Sequence, residues 1–143
     1  MAITWKTLED SVRSIATIKW KATATAKHLA GVNFDAVVEP SSEELIVIEV
    51  TKQHDLNKIR DDIVKINSLR LQRLADGVLV RAYIILNDKP TMSMVETGNS
   101  NKVRVLSAND FFNEFFQYDP YIKLRALRDR CTTPPRDTAP RSM

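Results

Sequence analysis

Two acidic residues, Asp35 and Glu49, stand in two strand-like apolar segments that a short polar turn joins. The segments cover residues 32–39 and 45–51, and the intervening PSSEE has the composition of a turn, so the sequence predicts a β-hairpin. If the hairpin is centred on Ser42, Val37 pairs with Val47 and Asp35 pairs with Glu49. This register predicts that the two carboxylates are cross-strand neighbours on one face, with Cβ atoms ~5 Å apart.

Two facing carboxylates repel each other, and in an apolar hairpin they need a raised pKa or a nearby cation. Mg²⁺ suits such a pair, because it is often held by one or two carboxylates together with water and phosphate. A solvent-facing acidic pair bridged by Lys or Arg is the alternative. The run LIVIEV around Glu49 is apolar on both faces, which is typical of a central strand covered by helices and argues against a solvent-facing pair. The spacing alone does not decide between the two interpretations.

The elements that position this hairpin follow from hydrophobic periodicity and capping residues, and together they predict an α/β fold. We expect helices on both faces of a mixed four-stranded sheet, in which the strand after the hairpin runs parallel to the second hairpin strand. Residues 20–30 fit either an irregular strand or a short helix. The other predicted elements are a helix capped by Thr7, a helix from the cap Asp55 to about residue 74, a strand at 78–86, a short helix within 91–102 that ends in a loop at 98–101, a strand at 103–106, a helix capped by Ser107 and a helical stretch at 120–130.

Composition excludes several classes of protein. The 143 residues, 43% of them hydrophobic and 27% charged, suit one globular domain. Cys131 is the only cysteine and there are two histidines, which argues against disulfides and against a structural zinc site. No apolar run approaches the ~20 residues that span a bilayer. We therefore expect a cytoplasmic protein that has no membrane partner.

The charge of the chain is unevenly distributed. The formal net charge is +3, but residues 121–143 carry six basic and two acidic groups, which leaves 15 basic and 16 acidic residues in 1–120. The basic end is read either as solvated surface or as a weak attraction for phosphate. From residue 132 the composition becomes rich in proline, so we predict a domain at 1–130 and a disordered tail or linker at 131–143.

The order of these motifs resembles a known superfamily. A helix, the segment GVNFD on a strand, a hairpin leading to IEV and a further helix resemble the PD-(D/E)XK nucleases, closest to restriction-endonuclease-like domains of the Mrr and Holliday-junction-resolvase kind. The stretch 49–73 and the closing VRVLSANDFFNEFFQYDPYIKLR also resemble nuclease-like domains at the N-termini of prokaryotic defence ATPases. The resemblance covers roughly residues 5–130 and implies a restriction-endonuclease-like sheet.

The resemblance implies a Mg²⁺-dependent endonuclease that hydrolyses DNA, with Mn²⁺ able to substitute. Asp35, Glu49 and the backbone carbonyl of Val50 would hold the metal. It also implies an effector domain in antiviral defence, with DNA as partner and with an ATPase or sensor module linked at the C-terminus. Homo-oligomerisation is left open. The alternative is a catalytically degenerate nuclease-fold module that binds DNA or a protein.

The expected lysine is displaced in this sequence. The superfamily pattern places a lysine two residues after the glutamate, where this chain has Thr51. Lys52 follows, but strand alternation directs it to the opposite face. We therefore predict Lys58 of the following helix as the catalytic lysine, because Lys58, Asp62 and Lys65 form one stripe. An ordinary solvated i, i+4 pair is the competing interpretation.

Glu9 is an accessory candidate, because some related nucleases carry a helix carboxylate near the metal. Favourable interaction with the helix dipole is the simpler explanation of an acid in this first turn.

Overall fold

Helices cover both faces of a five-stranded mixed sheet in the computed structural model, which describes residues 5–118. The predicted helical stretch at 120–130 and the predicted tail at 131–143 lie outside the described residues. Within the described range, no helix is long and apolar enough to cross a membrane. The elements are α1 Trp5–Trp20, β1 Thr25–Leu29, β2 Val32–Ser41, β3 Glu44–Thr51, α2 Leu56–Leu74, β4 Leu79–Leu86, α3 Met92–Ser100, β5 Val103–Ser107 and α4 Ala108–Tyr118.

The strands lie in their chain order, β1-β2-β3-β4-β5. The first three are antiparallel neighbours, whereas β3, β4 and β5 run parallel. A parallel pair needs a crossover connection, and α2 and α3 supply the two crossovers. The α/β class, the hairpin at 32–51 and the parallel strand after α2 are therefore confirmed.

Each face of the sheet has its own apolar core. On one face, the branched side chains of α2 and Met94 of α3 pack against alternate residues of the strands. On the other face, α1 and α4 cover the remaining alternate residues. The central strand β3 is buried along almost its whole length, as its apolar run predicts.

The prediction of four strands is wrong, because residues 25–29 form the additional edge strand β1. Most of its side chains are exposed, so it shows no hydrophobic alternation from which to predict it. Its turn into β2 consists of Ala30 and Gly31, with φ of 53° and 79°. Two consecutive residues of positive φ are characteristic of the type I′ hairpin turn, for which Ala-Gly is a weak sequence signal.

Three of the predicted helix caps can be compared with the structure. Asp55 caps α2 by accepting a hydrogen bond from the Asn57 backbone N–H at 3.0 Å, and Ser107 accepts one from the Asp110 backbone N–H at 3.1 Å. Both caps are confirmed. Thr7 is not the cap of α1, because that helix is already formed at Trp5.

The predicted loop at 98–101 is mostly helical, because α3 continues to Ser100. Gly98 allows α3 to pack directly on β5. A Cβ at this position would lie 2.5 Å from Cγ2 of Val105 and 2.6 Å from the Val103 carbonyl oxygen.

We expect Gly98→Ala to destabilise the protein by roughly 1–3 kcal/mol, because the added methyl group overpacks this contact. Urea denaturation of the variant measures the loss. Asn99→Ala, one residue further on the exposed side of α3, is the matched control and should be close to neutral. Equal stability of both variants would show that α3 can move away from β5 at little cost.

Candidate functional site

Asp35 and Glu49 meet where the β2–β3 hairpin ends its regular pairing. The backbone pairs Val37↔Val47 and Ala36↔Ile48 confirm the predicted register in the middle of the hairpin. The register shifts between Val38 and Ser41, where Ser41 pairs with Glu44, so the prediction that the turn is centred on Ser42 is wrong. At the next residues of the hairpin, Asp35 and Glu49, the side-chain carboxylates accept hydrogen bonds from backbone N–H groups, as carbonyl groups do in a regular hairpin. The Asp35 backbone N–H donates to Glu49 Oε1 at 3.1 Å, and the Val50 backbone N–H donates to Asp35 Oδ2 at 2.7 Å. The hairpin therefore brings the two predicted carboxylates, here called the carboxylate pair, into one reciprocal contact.

A β-bulge places Asp35 at this position. The β1–β2 register shifts between Lys27↔Phe34 and Thr25↔Val37, so that β2 has one residue more than β1 in this stretch. The extra residue reverses the alternation of side chains, because Phe34 packs in the α2 core and Ala36 in the α1 core. Bulges commonly redirect a side chain in this way.

Arg13 of α1 binds the backbone at the bulge. Its Nη1 donates to the Asp35 carbonyl oxygen at 2.8 Å, and its Nη2 donates to Asp10 Oδ1 at 2.6 Å. The guanidinium thus connects two elements, because Asp10 belongs to α1 and Asp35 to β2. No motif or spacing in the sequence singles out Arg13.

Within residues 5–118, Lys65 of α2 is the cation that forms an ion pair with the carboxylate pair. Its Nζ lies 2.6 Å from Glu49 Oε2 and 5.3 Å above the centre of the Phe34 ring. The Glu49 side chain is only 6% exposed. Burial raises the pKa of Glu49 to about 7, against the opposing effect of the Lys65 ammonium and with a further upward contribution from the charge of Asp35.

Thr51, Asp62 and Lys58 form a second polar group beside the pair. Asp62 is fully buried and accepts hydrogen bonds from Thr51 Oγ1 at 2.7 Å and from Lys58 Nζ at 2.8 Å. The hydrogen bond with Asp62 raises the pKa of Lys58. The predicted lysine Lys58 therefore pairs with Asp62, whereas Lys65 pairs with Glu49. The stripe of Lys58, Asp62 and Lys65 does face the sheet, as its spacing suggested.

The remaining predicted residues lie at the margins of the site. Lys52 follows the last residue of β3 and is exposed. Val50 contributes its backbone, while its side chain packs in the α1 core. Glu9 is partly exposed on α1. Among the described residues, Arg13 is the α1 side chain with a hydrogen bond to the Asp35 backbone, and Glu9 makes no such bond.

The donor set suits a hard divalent cation held by few protein ligands. Among the described residues, no three His, Cys, Asp or Glu side chains are grouped closely enough to enclose a metal ion. Two carboxylates remain, which is a common protein contribution to a Mg²⁺ site completed by water and phosphate. Lys65 already occupies one oxygen of Glu49, so an incoming metal ion must compete with its ammonium group.

We expect the metal-free protein to lose stability as pH rises through the range between about 4.5 and 7. In that range the unfolded chain has released the Glu49 proton that the folded chain still holds, because the folded pKa is about 7 against an ordinary 4.5. The full effect is at most about 3 kcal/mol at 1.36 kcal/mol per pKa unit. Urea denaturation of wild type and Glu49→Gln at pH 5 and pH 8 measures it, and parallel pH dependences would contradict it.

Comparisons of the chain with protein-family models, with curated proteins and with solved structures gave no significant match.

Proposed function

We propose that this chain is a metal-dependent nuclease domain that hydrolyses phosphodiester bonds in DNA. The observation that carries the proposal is the reciprocal contact of Asp35 and Glu49 across the hairpin, with the Lys65 ammonium 2.6 Å from Glu49. Two acids and a lysine are the groups that such hydrolysis uses. The order of elements around them, with a helix before the hairpin and another after it, agrees with the resemblance to PD-(D/E)XK nucleases.

Asp35, Glu49 and the Val50 carbonyl group would hold Mg²⁺ or Mn²⁺. When bound, the ion would polarise the phosphate and lower the pKa of the attacking water. The buried end of the hairpin keeps Glu49 close to Asp35, so the two ligands are positioned before a metal ion binds. The fully buried Asp62 fixes Thr51 at the end of β3 and holds Lys58 beside the site.

Lys65 is the lysine that the geometry favours for contact with the scissile phosphate. Its long side chain carries the ammonium over the Phe34 ring to Glu49. Once released from Glu49, the Lys65 ammonium would contact a phosphate oxygen and would offset the charge of the transition state. Lys58, predicted from sequence, is the competing candidate, and it would have to leave Asp62 to take this role.

Affinity for DNA would come from local cations around the site, because residues 1–120 carry nearly balanced charge. The proposal also includes an effector role in antiviral defence, with a sensor or ATPase module joined at the C-terminus. The proline-rich composition after residue 131 is compatible with such a linker.

A catalytically degenerate module that binds DNA or a protein is the second candidate. Thr51 stands in place of the superfamily lysine, and its hydroxyl group is bonded to Asp62. A cavity of about 450 Å³ beside the first residues of β4 also favours binding of an anionic partner. Four cationic side chains line it, those of Arg70, Arg81, Lys102 and Arg104. Arg70 already donates to three backbone carbonyl groups and Arg104 pairs with Glu114, which leaves this cavity less cationic than its composition suggests.

Incubation of the purified chain with supercoiled plasmid DNA and Mg²⁺ or Mn²⁺ tests the proposal. We expect nicked and linear products that EDTA abolishes, and none from the double variant Asp35→Asn/Glu49→Gln prepared in the same way. Binding of DNA without cleavage under both metals would favour the degenerate module. Cleavage that the double variant retains would indicate a contaminating nuclease and would contradict the assigned site.

A further inference from the structure

Asp35 is not among the paired residues of β2 with either β1 or β3, because the β1–β2 register shifts beside it and the β2–β3 pairs begin at Ala36. A bulged residue is removed from the ladder of the neighbouring strand, so its polar groups need other partners. The Asp35 backbone N–H donates to Glu49 Oε1, and the Asp35 carbonyl oxygen accepts from Arg13 Nη1. Two side chains, a carboxylate from β3 and a guanidinium from α1, thus bond to the backbone of the residue that would bind metal.

Arg13 is well suited to hold this carbonyl group. Its side chain is only 21% exposed, and its second nitrogen is fixed by Asp10, three residues earlier on α1. A guanidinium presents several donors in a rigid planar arrangement, so the bond to Asp10 also fixes the direction of the bond to Asp35. Hydrogen bonds from a charged donor are among the stronger ones in proteins.

The geometry points to Arg13 as a positioning residue that fixes the Asp35 carboxylate by holding the bulged backbone from α1. The inference deepens the proposed function, on which its metal-binding consequence depends. Arg13 bonds to the Asp35 backbone carbonyl group, so it acts through Asp35 and has no assigned contact with metal or substrate. If its donor is removed, the bulge can relax, and Asp35 Oδ2 no longer stays at the Val50 backbone N–H.

The first measurement uses the metal-free protein. Amide hydrogen exchange, followed by NMR, reports on the two backbone N–H groups of the reciprocal contact, those of Asp35 and Val50. We expect Arg13→Met to speed exchange at both about tenfold, which corresponds to a loss of ~1.4 kcal/mol of local stability. Exchange at Val37 and Val47, inside the regular hairpin, should stay as in wild type.

The matched control is Lys6→Met. Lys6 is also a cation of α1 and also pairs with Asp10, at 3.8 Å, but it is highly exposed and does not contact Asp35. It should leave the exchange of both amides unchanged. If Arg13→Met does not fold, Arg13→Lys replaces it, because lysine keeps the charge but has one nitrogen for the two acceptors, and both amides should again exchange faster than in wild type.

The second measurement is the affinity for Mn²⁺, determined by calorimetry without DNA. We expect Arg13→Met to bind about tenfold more weakly, since loss of a group that orients a metal ligand typically costs 10–100-fold in affinity. Lys6→Met should bind like wild type. Weaker binding with unchanged amide exchange would overturn the positioning role, because Arg13 would then act through charge or general stability.

The amide exchange and the Mn²⁺ affinity together distinguish failure of this inference from failure of the proposed function. If wild type binds no Mn²⁺ but Arg13→Met speeds exchange at Asp35 and Val50 alone, Arg13 positions the carboxylate pair and the metal site is refuted. If the Asp35 and Val50 amides exchange at wild-type rates in the Arg13 variants, the inference is overturned, regardless of the Mn²⁺ affinity. Faster exchange spread equally over Val37 and Val47 would also overturn it, since that pattern indicates ordinary stabilisation of the hairpin.

Discussion

Replacement of either member of the carboxylate pair will reduce metal-dependent DNA cleavage by about a thousandfold or more. The variants are Asp35→Asn and Glu49→Gln, which remove a negative charge and keep the shape of the side chain. Each removes an anionic ligand from a site with two, and a bound metal ion contributes several kcal/mol of transition-state stabilisation. At 1.36 kcal/mol for each factor of ten in rate, such a loss exceeds a thousandfold.

The fold should survive these changes. An amide oxygen at residue 35 can still accept from the Val50 backbone N–H, and one at residue 49 can still accept from the Asp35 backbone N–H. Removal of one acid also ends the repulsion between the two carboxylates. Thermal unfolding in EDTA should therefore give melting temperatures at or above that of wild type.

Single-turnover cleavage of a labelled DNA duplex at saturating Mg²⁺ measures the loss. The matched control is Glu39→Gln, which removes an exposed acid of the same strand that pairs with Lys27. This control should cleave at the wild-type rate. Full activity in Asp35→Asn or in Glu49→Gln would show that the metal ligands have been assigned incorrectly.

The hairpin was predictable because the residues that determine its two strands and its turn are close together in the sequence. Two apolar segments flank one turn, and a shift of one residue would move every side chain to the other face, so the register of Val37 with Val47 follows from the pattern alone. The bulge at Asp35 was not predictable, because it depends on pairing with β1. That strand is mostly exposed and lies at the sheet edge, where the sequence carries little periodic signal.

The partners of the carboxylate pair depend on how helices cross the sheet. Lys58 and Lys65 are seven residues apart on one side of α2, so sequence alone places both near β3 and cannot say which one meets Glu49. Arg13 was not predicted for the same reason, because its role depends on the position of α1 beside the bulge.

The full burial of Asp62 was not predicted either. Charged residues are rarely buried unless they have partners, and in the structure Thr51 and Lys58 are the partners of Asp62.

Replacement of Lys65 by methionine should separate metal binding from catalysis. We expect Lys65→Met to cleave ~10²-fold or more slowly in single turnover, as is typical when a group that stabilises transition-state charge is lost. The same variant should bind Mn²⁺ several-fold more tightly, because it removes an ammonium group that lies 2.6 Å from Glu49 and competes with the metal ion. A residue with a purely structural role would not produce tighter metal binding together with slower cleavage.

Lys58→Met is the matched variant, and we expect it to affect stability more than rate. It leaves the fully buried Asp62 carboxylate with the Thr51 hydroxyl group as its remaining side-chain partner, and an uncompensated buried charge is strongly destabilising. Lys52→Met, just beyond the end of β3, should have little effect on either property. A large rate loss in Lys58→Met with a mild one in Lys65→Met would identify Lys58, the residue predicted from sequence, as the catalytic lysine. Small rate losses in all three variants would mean that metal and phosphate suffice for cleavage without a lysine.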